Sequence, residues 1–329
     1  MKIFLTGATG YVGHELALHL AEQGNSVHIL VRNINSPNIP RHNNIIVFGG
    51  DITNRESIRN AMTGCEQVYH TAAVVKIFAT DPSVFYKVNV MGTENLLAEA
   101  LLLNVKKFIY TSTCGVIGSS VNCAKKENDP RTESFGNEYD FTKYLGENLV
   151  KEYSKKGLFT IIVALSKVFG PGIETHPVST NSIISNFIKG KMVLIPGQGN
   201  TIANYCFIND IVAGHIQAMK YGLGGEKYIL GEYNLTYNSL FNEIKSLSGS
   251  RAMVFHMPRW IINFYAVINW CRYLVTKKEP FVTLKGVRSI FMNKEFDNRK
   301  AIRQLHFQPT PLSEALKKTI HFLKTQQHA

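Results

Sequence analysis

Up to about residue 165 the chain alternates short, continuously apolar, β-branched runs with longer stretches whose apolar positions recur at helical spacing. The runs Lys2–Leu5, Ser26–Val31, Ile45–Phe48, Gln67–Thr71, Lys107–Thr111 and Thr160–Ala164 predict strands. The stretches Tyr11–Gln23, Glu56–Met62, Val84–Leu103 and Tyr139–Lys155 predict helices between them. Short strands that are apolar on both faces and separated by helices predict an α/β fold, a Rossmann-type doubly wound parallel sheet. After Gly170-Pro171-Gly172 the pattern loosens, and Tyr205–Tyr221 reads as a strand end followed by a helix that returns to the core. The expected division is a nucleotide domain over 1–170, with 205–225 returning to it. A smaller, partly discontinuous C-terminal substrate domain is expected over 171–204 and 226–329.

Composition adds little to that picture and excludes some alternatives. Of the 329 residues, 45% are apolar and 18% charged, as in an ordinary globular protein, with no low-complexity tract or repeat period. Cys65, Cys114, Cys123, Cys206 and Cys271 are odd in number and lack a C-x-x-C spacing, which argues against a disulfide framework or zinc site. No metal is expected. The opening Met1-Lys2-Ile3-Phe4-Leu5 runs into a glycine loop and reads as a strand, not a signal core, so a cytoplasmic location is expected.

Charge is unevenly spread. Residues 1–150 hold 13 Lys/Arg against 14 Asp/Glu, whereas 151–329 hold 23 against 10. A basic C-terminal half suits a solvated surface, an anionic substrate or anionic lipid; without a recognition motif it does not suggest nucleic acid. Within it, Met257–Val275 is rich in apolar and aromatic residues, and Lys277, Lys278, Lys285 and Arg288 follow. This segment, 257–288, reads either as a helix packed on the substrate domain or as a peripheral membrane contact.

The chemistry begins at Thr6-Gly7-Ala8-Thr9-Gly10-Tyr11-Val12-Gly13, a G-x-x-G-x-x-G spacing between the first strand and the first helix. Glycine is needed there for a tight turn, for backbone approach to a pyrophosphate and for helix–strand packing, while the helix N-terminus offers N–H groups to phosphate. A dinucleotide cofactor is expected. The second strand ends Leu30-Val31-Arg32-Asn33, without the acid that would accept from a ribose 2′-hydroxyl, so Arg32 favours NADP over NAD. After the third strand, Asp51 of Gly50-Asp51-Ile52 is placed either to accept from an adenine amino group or to cap the next helix.

Tyr139-Asp140-Phe141-Thr142-Lys143 puts a tyrosine and a lysine four apart on one helical face. An ammonium beside a phenol favours the phenolate, so a lowered Tyr139 pKa and a general acid/base role are expected. The hydroxyl-rich strand end Tyr110-Thr111-Ser112-Thr113-Cys114 should point into the same crevice.

With these stretches the chain resembles an extended short-chain dehydrogenase/reductase over nearly its whole length, and within it the dihydroflavonol-reductase-like and farnesol-dehydrogenase-like branch. The likeness is carried by TGATGYVG, VYHTAAVVKIFATDPSVFYKVNVMGTENLL, FIYTSTCGVIG, YDFTK, VFGPG, FINDIVAGHIQAM and Asp297 through Pro311. The resemblance implies that Tyr139 is the general acid/base and that Lys143 holds the nicotinamide ribose. It implies that Thr113 is the catalytic hydroxyl, with Ser112 the alternative one residue away. It also implies that Thr71, Ala72, Ala73 and Asn89, together with Ile52, line the cofactor and active site. Departures from sugar-nucleotide enzymes are the missing acid after the second strand, Cys114-Gly115 where dehydratases carry an Asp-Glu pair, and Ala164-Leu165-Ser166-Lys167 ahead of VFGPG. The expected activity is therefore carbonyl–alcohol interconversion on a small apolar substrate, in a chain able to form a homodimer. A nucleotide-sugar epimerase or dehydratase is the alternative, and an NADP-sensing protein without catalysis a second one.

Overall fold

The computed structural model describes residues 1–76, 78–173, 179–280 and 282–326. Residues 174–178 of the expected substrate segment 171–204, and residue 281 of the 257–288 segment, lie outside the described residues. Residue 77 of the long family-like stretch does so too.

Seven parallel strands form the central sheet: β1 (Lys2–Thr6), β2 (Ser26–Val31), β3 (Ile45–Gly49), β4 (Gln67–His70), β5 (Lys107–Thr113), β6 (Thr160–Leu165) and a last strand, Lys227–Leu230. Five further strands precede or follow that last one outside the sheet, so in chain order β7 is Lys167–Phe169, β8 Val193–Pro196, β9 Ile202–Phe207, β10 Lys227–Leu230, β11 Tyr233–Thr236 and β12 Val254–Met257. The sheet order is β10-β6-β5-β4-β1-β2-β3, so the winding direction reverses between β1 and β4. Such a reversal leaves a crevice at the carboxyl ends of the strands.

Strand alternation explains both covered faces. Ile3, Leu5, Ile109 and Val163 point to one face, where the helices Tyr11–Glu22, Ile208–Tyr221 and Arg299–Leu305 cover them with Leu16, Ile211 and Leu305. Phe4, Val68, Phe108 and Ile162 point to the other, under the helices Arg55–Met62, Gly92–Leu102 and Glu138–Lys155. Phe108 is wholly buried, and truncating such a ring to alanine costs about 3–5 kcal/mol.

The division of the chain differs from the pattern-based one. Strand β10 falls inside 226–329 yet pairs with β6 in the central sheet, from Lys227 opposite Ile162 to Leu230 opposite Leu165. Helix Arg299–Leu305 also packs into that sheet's core through Ala301 and Leu305. A four-residue strand buried on both faces has no alternation to betray it, and the lysine at its start reads as surface. Conversely, β9 pairs with β7 and β11 in a separate three-stranded sheet, and the segment returns to the main core through Cys206 and the helix Ile208–Tyr221. A second core of Phe169, Ile184, Phe207, Phe241 and Leu316 lies under that smaller sheet.

The predicted helix Val84–Leu103 forms as Ser83–Tyr86 and Gly92–Leu102, joined by a π turn over Lys87–Met91. Such widened turns insert one residue and re-aim a side chain. Here the turn carries Asn89, which is almost wholly buried.

Where the smaller sheet meets helix Ile208–Tyr221, two acids lie side by side. Asp210 accepts from the Thr310 backbone N–H and hydroxyl, each at 2.8 Å. Glu232 accepts from the Phe207 N–H at 3.0 Å, and its other oxygen is buried without a partner. Burial and then the Asp210 charge push the Glu232 carboxyl up to about 9, against about 4.3 when exposed. A carboxyl raised in the folded state contributes stability that is full at acid pH and is lost as pH rises through its folded value. The Tm of the wild type should therefore fall, between about pH 4.3 and about pH 9, relative to that of Glu232→Gln, which stays neutral. Parallel melting curves across that range would show Glu232 to be ionised in the folded protein.

Candidate active site

The crevice between β1 and β4 opens onto the glycine loop. Gly7 has φ of +83°, and a Cβ there would come within 2.6 Å of the Ala72 nitrogen and the Thr71 hydroxyl. A Cβ on Gly13 would collide with the Gly7 carbonyl. The loop after β1, the turn Thr71-Ala72-Ala73 after β4 and the first turn of helix Tyr11–Glu22 are thus in backbone contact. That helix has no side-chain cap at Gly10 and no acid in its first turn, which leaves its N–H groups and positive dipole end toward the crevice. This bare, glycine-lined cradle fits a dinucleotide pyrophosphate. The Tyr11 hydroxyl is not part of it, because it donates to the Gly170 carbonyl at 2.6 Å and accepts from the Asn181 amide at 3.3 Å. Thr9 lies in the turn itself, and Val12 packs into the cores behind it.

Behind the loop runs a buried polar chain. The Thr93 hydroxyl donates to the Asn89 carbonyl at 2.8 Å, so the bond between His70 Nε2 and Thr93 Oγ1 at 2.9 Å is donated by the ring. Burial, and then the Lys143 charge, push the His70 pKa well down, so the ring is neutral and its Nδ1 accepts from the Thr6 hydroxyl at 2.8 Å. The Thr71 hydroxyl donates to the Thr6 carbonyl at 2.7 Å. At the far end Asn89 accepts from the Val74 N–H at 2.8 Å and donates to the Thr142 hydroxyl at 3.0 Å. Thr142 lies between Tyr139 and Lys143, so this chain connects the cofactor loop to the candidate catalytic helix.

Helix Glu138–Lys155 is capped by the Asn137 side chain, which accepts from the Asp140 N–H at 2.7 Å. It leads from the end of β5 back to the start of β6, so Tyr139 lies one turn, about 6 Å, nearer the crevice mouth than Lys143. Lys143 is 2% exposed, and its ammonium lies 3.9 Å from the centre of the Tyr110 ring. It makes no hydrogen bond among the described residues and stands free to take a ribose hydroxyl. Thr113, three residues beyond Tyr110 on β5, accepts from the Gly115 N–H at 3.0 Å and keeps its own proton to donate. A Cβ on Gly115 would collide with the Asp140 carboxylate, so the turn after Thr113 packs directly on the residue beside Tyr139.

Several expected roles change. Ser112 points to the opposite side of β5 and donates to buried Glu147 at 2.5 Å, which excludes it as the substrate hydroxyl. Glu147 also pairs with Lys227 at 2.8 Å. The Tyr139 pKa is raised, not lowered, by burial and then by Asp140. Burial also pulls Lys143 down to about 7, against an opposing pull from Glu147. Spacing suggests a cation assisting a phenol; the structure shows both groups desolvated, and desolvation opposes both charges. Asp51 does not cap the following helix. Asn54 does, accepting from the Glu56 N–H at 2.9 Å. Asp51 instead closes a turn with the Thr53 N–H and hydroxyl, both at 2.8 Å. Ile52 beside it is buried against Gly92. Arg32 is exposed just past the end of β2 and makes none of the ion pairs found among the described residues.

His70, Thr93, Thr142, Glu147 and Lys227 are absent from the pattern-based site. Thr142 was inside the quoted Tyr-x-x-x-Lys stretch, but nothing in its spacing marks it. The Glu147–Lys227 pair spans 80 residues and is invisible before the seventh strand is placed. No group of acid, His or Cys ligands able to hold a metal occurs among the described residues.

Residues 3–231 match the model of the NAD dependent epimerase/dehydratase family. A Synechocystis sp. protein named "Putative dihydroflavonol 4-reductase" is 28% identical over 98% of this chain and 94% of its own. The sterol demethylase protein B of Methylococcus capsulatus is 28% identical over 94% of each chain. Among solved structures, the UDP-glucose 4-epimerase of Thermotoga maritima superposes with a TM-score of 0.83 at 23% identity, covering 99% of this chain and 100% of that one. The chain belongs to the NAD dependent epimerase/dehydratase family, and it is an NAD(P)-dependent oxidoreductase of the extended short-chain dehydrogenase/reductase type.

Proposed function

We propose that this protein uses NADP to interconvert a ketone or aldehyde and its alcohol on a small apolar substrate, with Tyr139, Lys143 and Thr113 as the catalytic residues. The observation that carries the reading is the state of the β5 end. Cys114 is fully buried, and burial pushes its thiol pKa up. Gly115 is pressed on Asp140. Neither position can act as the extra acid or base that an elimination requires, which argues against a dehydratase and supports proton exchange at a single oxygen. The names of two relatives, one a dihydroflavonol reductase and one a sterol demethylase component, support an apolar substrate.

Bound in the cradle, the nicotinamide would supply or receive the hydride. The protein does the rest. The Thr113 hydroxyl donates to the substrate oxygen and holds it beside Tyr139. The Tyr139 phenol, kept protonated by its buried surroundings, is ready to deliver a proton to that oxygen, which suits reduction. Lys143, near 7 when the crevice is unliganded, gains a partner when a ribose hydroxyl binds, and beyond it the Tyr139 phenol is the next group whose charge it stabilises.

Tyr139→Phe should lower turnover roughly 10²–10⁴-fold, the usual worth of general acid–base catalysis, while NADPH binding followed by fluorescence stays within a few-fold of wild type. Lys143→Ala should harm both. The assay is NADPH oxidation with a panel of apolar ketones and aldehydes alongside sugar nucleotides. Full carbonyl reduction by Tyr139→Phe would remove Tyr139 from the mechanism, and turnover of sugar nucleotides alone would replace the reading with epimerisation.

Arg32 supports NADP because an exposed guanidinium with no carboxylate partner can bind a 2′-phosphate in a bidentate, charge-assisted way. Arg32→Asp should weaken NADPH binding by about 1–3 kcal/mol and change NADH binding far less. Titration calorimetry on the wild type decides the point, since equal affinity for the two cofactors contradicts the assignment.

A further inference from the structure

Helix Arg259–Thr276 is apolar on the side that faces water. At 100° per residue, Trp260, Phe264, Val267, Ile268, Leu274 and Val275 fall on one stripe along its 18 residues. Trp260 is 69% exposed, Phe264 64% and Val275 85%. Its buried residues are Ile262, Ala266 and Asn269, packed with Val287 of helix Leu284–Ile290. The amide of Asn269 therefore lies on the inner face while the tryptophans and phenylalanine lie outside. A core helix has the opposite arrangement, so packing on the substrate domain does not explain this stretch. A stripe of this kind marks an interaction surface.

We infer that this face docks on an anionic lipid bilayer and that the substrate crevice is loaded from there; the second part rests on the apolar substrate proposed above. Charge selects the occupant. Exposed Arg272, Lys277 and Lys278 lie at the end of the stripe, and exposed Lys285 and Arg288 lie on the helix packed beneath it. Residues 251–329 carry 14 Lys/Arg against 4 Asp/Glu. Two copies joined face to face would bring these cations together around a two-fold axis, where Glu279, already paired with Lys76, is too little to offset them. Anionic headgroups offset them directly, with the aromatic rings seated at headgroup depth. No helix among the described residues is long and apolar enough to cross a membrane, so the helix lies along the surface.

The same helix is tied to the catalytic crevice. Trp270 and Tyr273 stack edge-on against Phe78 at 6.2 and 5.1 Å. Glu279, just past the helix, pairs with Lys76 at 3.3 Å and accepts from the Thr80 N–H at 3.4 Å. That loop starts at Val74, which is hydrogen-bonded to Asn89. On the crevice's other lip Ser289 lies 3.9 Å from the Cβ position of Gly136, three residues before Tyr139. The docking face and the mouth of the active site thus belong to one structural piece.

The test is flotation of the full chain with phosphatidylcholine vesicles, with and without phosphatidylglycerol, at low and high salt. Wild type should float with anionic vesicles and lose that binding at high salt, where the Debye length shrinks to about 3 Å. The triple variant Trp260→Ser, Phe264→Ser, Leu274→Ser should stay at the bottom of the gradient. Lys277→Glu with Lys278→Glu should lower partition to anionic vesicles by at least roughly tenfold, each lysine near such a surface being worth about fivefold. All three side chains in the triple variant are exposed, so NADPH binding and turnover of a water-soluble carbonyl without vesicles should match wild type. That readout separates failure of docking from failure of the proposed chemistry. Wild type that stays unbound with anionic vesicles at low salt overturns the inference. So does a triple variant that floats as well as wild type, and so does a wild-type dimer that the triple variant dissolves in sedimentation without any vesicle binding.

Discussion

The geometry of the candidate site rests on one buried hydrogen-bonded chain: Thr6, His70, Thr93, Asn89, Thr142. It joins the end of β1, the end of β4, the π turn after Tyr86 and the helix that carries Tyr139 and Lys143. Each of its members lies in the interior, where an unpaired polar group costs about 1–3 kcal/mol. No one of these elements can shift without leaving a partner unsatisfied. The π turn exists for this reason: a regular helix through Ser83–Leu102 would rotate Asn89 away from Val74 and Thr142. The pyrophosphate cradle and the candidate acid/base, which sequence places 126 residues apart between Gly13 and Tyr139, are held in register by that single set of bonds.

Burial has a second consequence, for charge. Lys143 is desolvated, with an aromatic ring under its ammonium and a buried Glu147 below. Glu147 is already engaged by Ser112 and Lys227, so it tempers the loss of charge on Lys143 without pairing with it. The crevice therefore holds a lysine whose charge burial opposes and a tyrosine that burial favours in its protonated form. Both are costly to charge until a polar ligand enters, which couples their ionisation to occupancy of the site.

Much of this was legible in the residues and some of it could not be. The first six strands and four helices follow from apolar spacing alone because each pattern is local, and the glycine loop is recognisable because its three constraints fall within eight residues. Tyr139 and Lys143 are legible for the same reason. The seventh strand was not: Lys227–Leu230 is four residues long and buried throughout, and the Glu147 that pairs with its Lys227 lies 80 residues away. His70 and Thr93 escaped notice because a buried polar residue looks the same in sequence as an exposed one. The direction of the Tyr139 shift was misjudged because spacing reports which groups are neighbours and not how much water they keep.

The same contrast explains why the chemistry is easier to read than the substrate. The proposed reacting groups sit on β5 and on the helix after it, elements whose positions the parallel sheet dictates. The segments proposed to hold the substrate, β7, β9, 257–280 and 282–297, are tied to the rest of the chain through long-range contacts such as Phe78 with Tyr273 and the Lys294 N–H with the Ile202 carbonyl at 2.9 Å. Lys294 itself is half-buried near Asp140, with Lys167 and Arg131 close enough to depress its pKa further after burial has lowered it. A fold that fixes hydride and proton transfer in its rigid half, and leaves recognition to a loosely patterned half, can change substrates without rebuilding the catalytic helix.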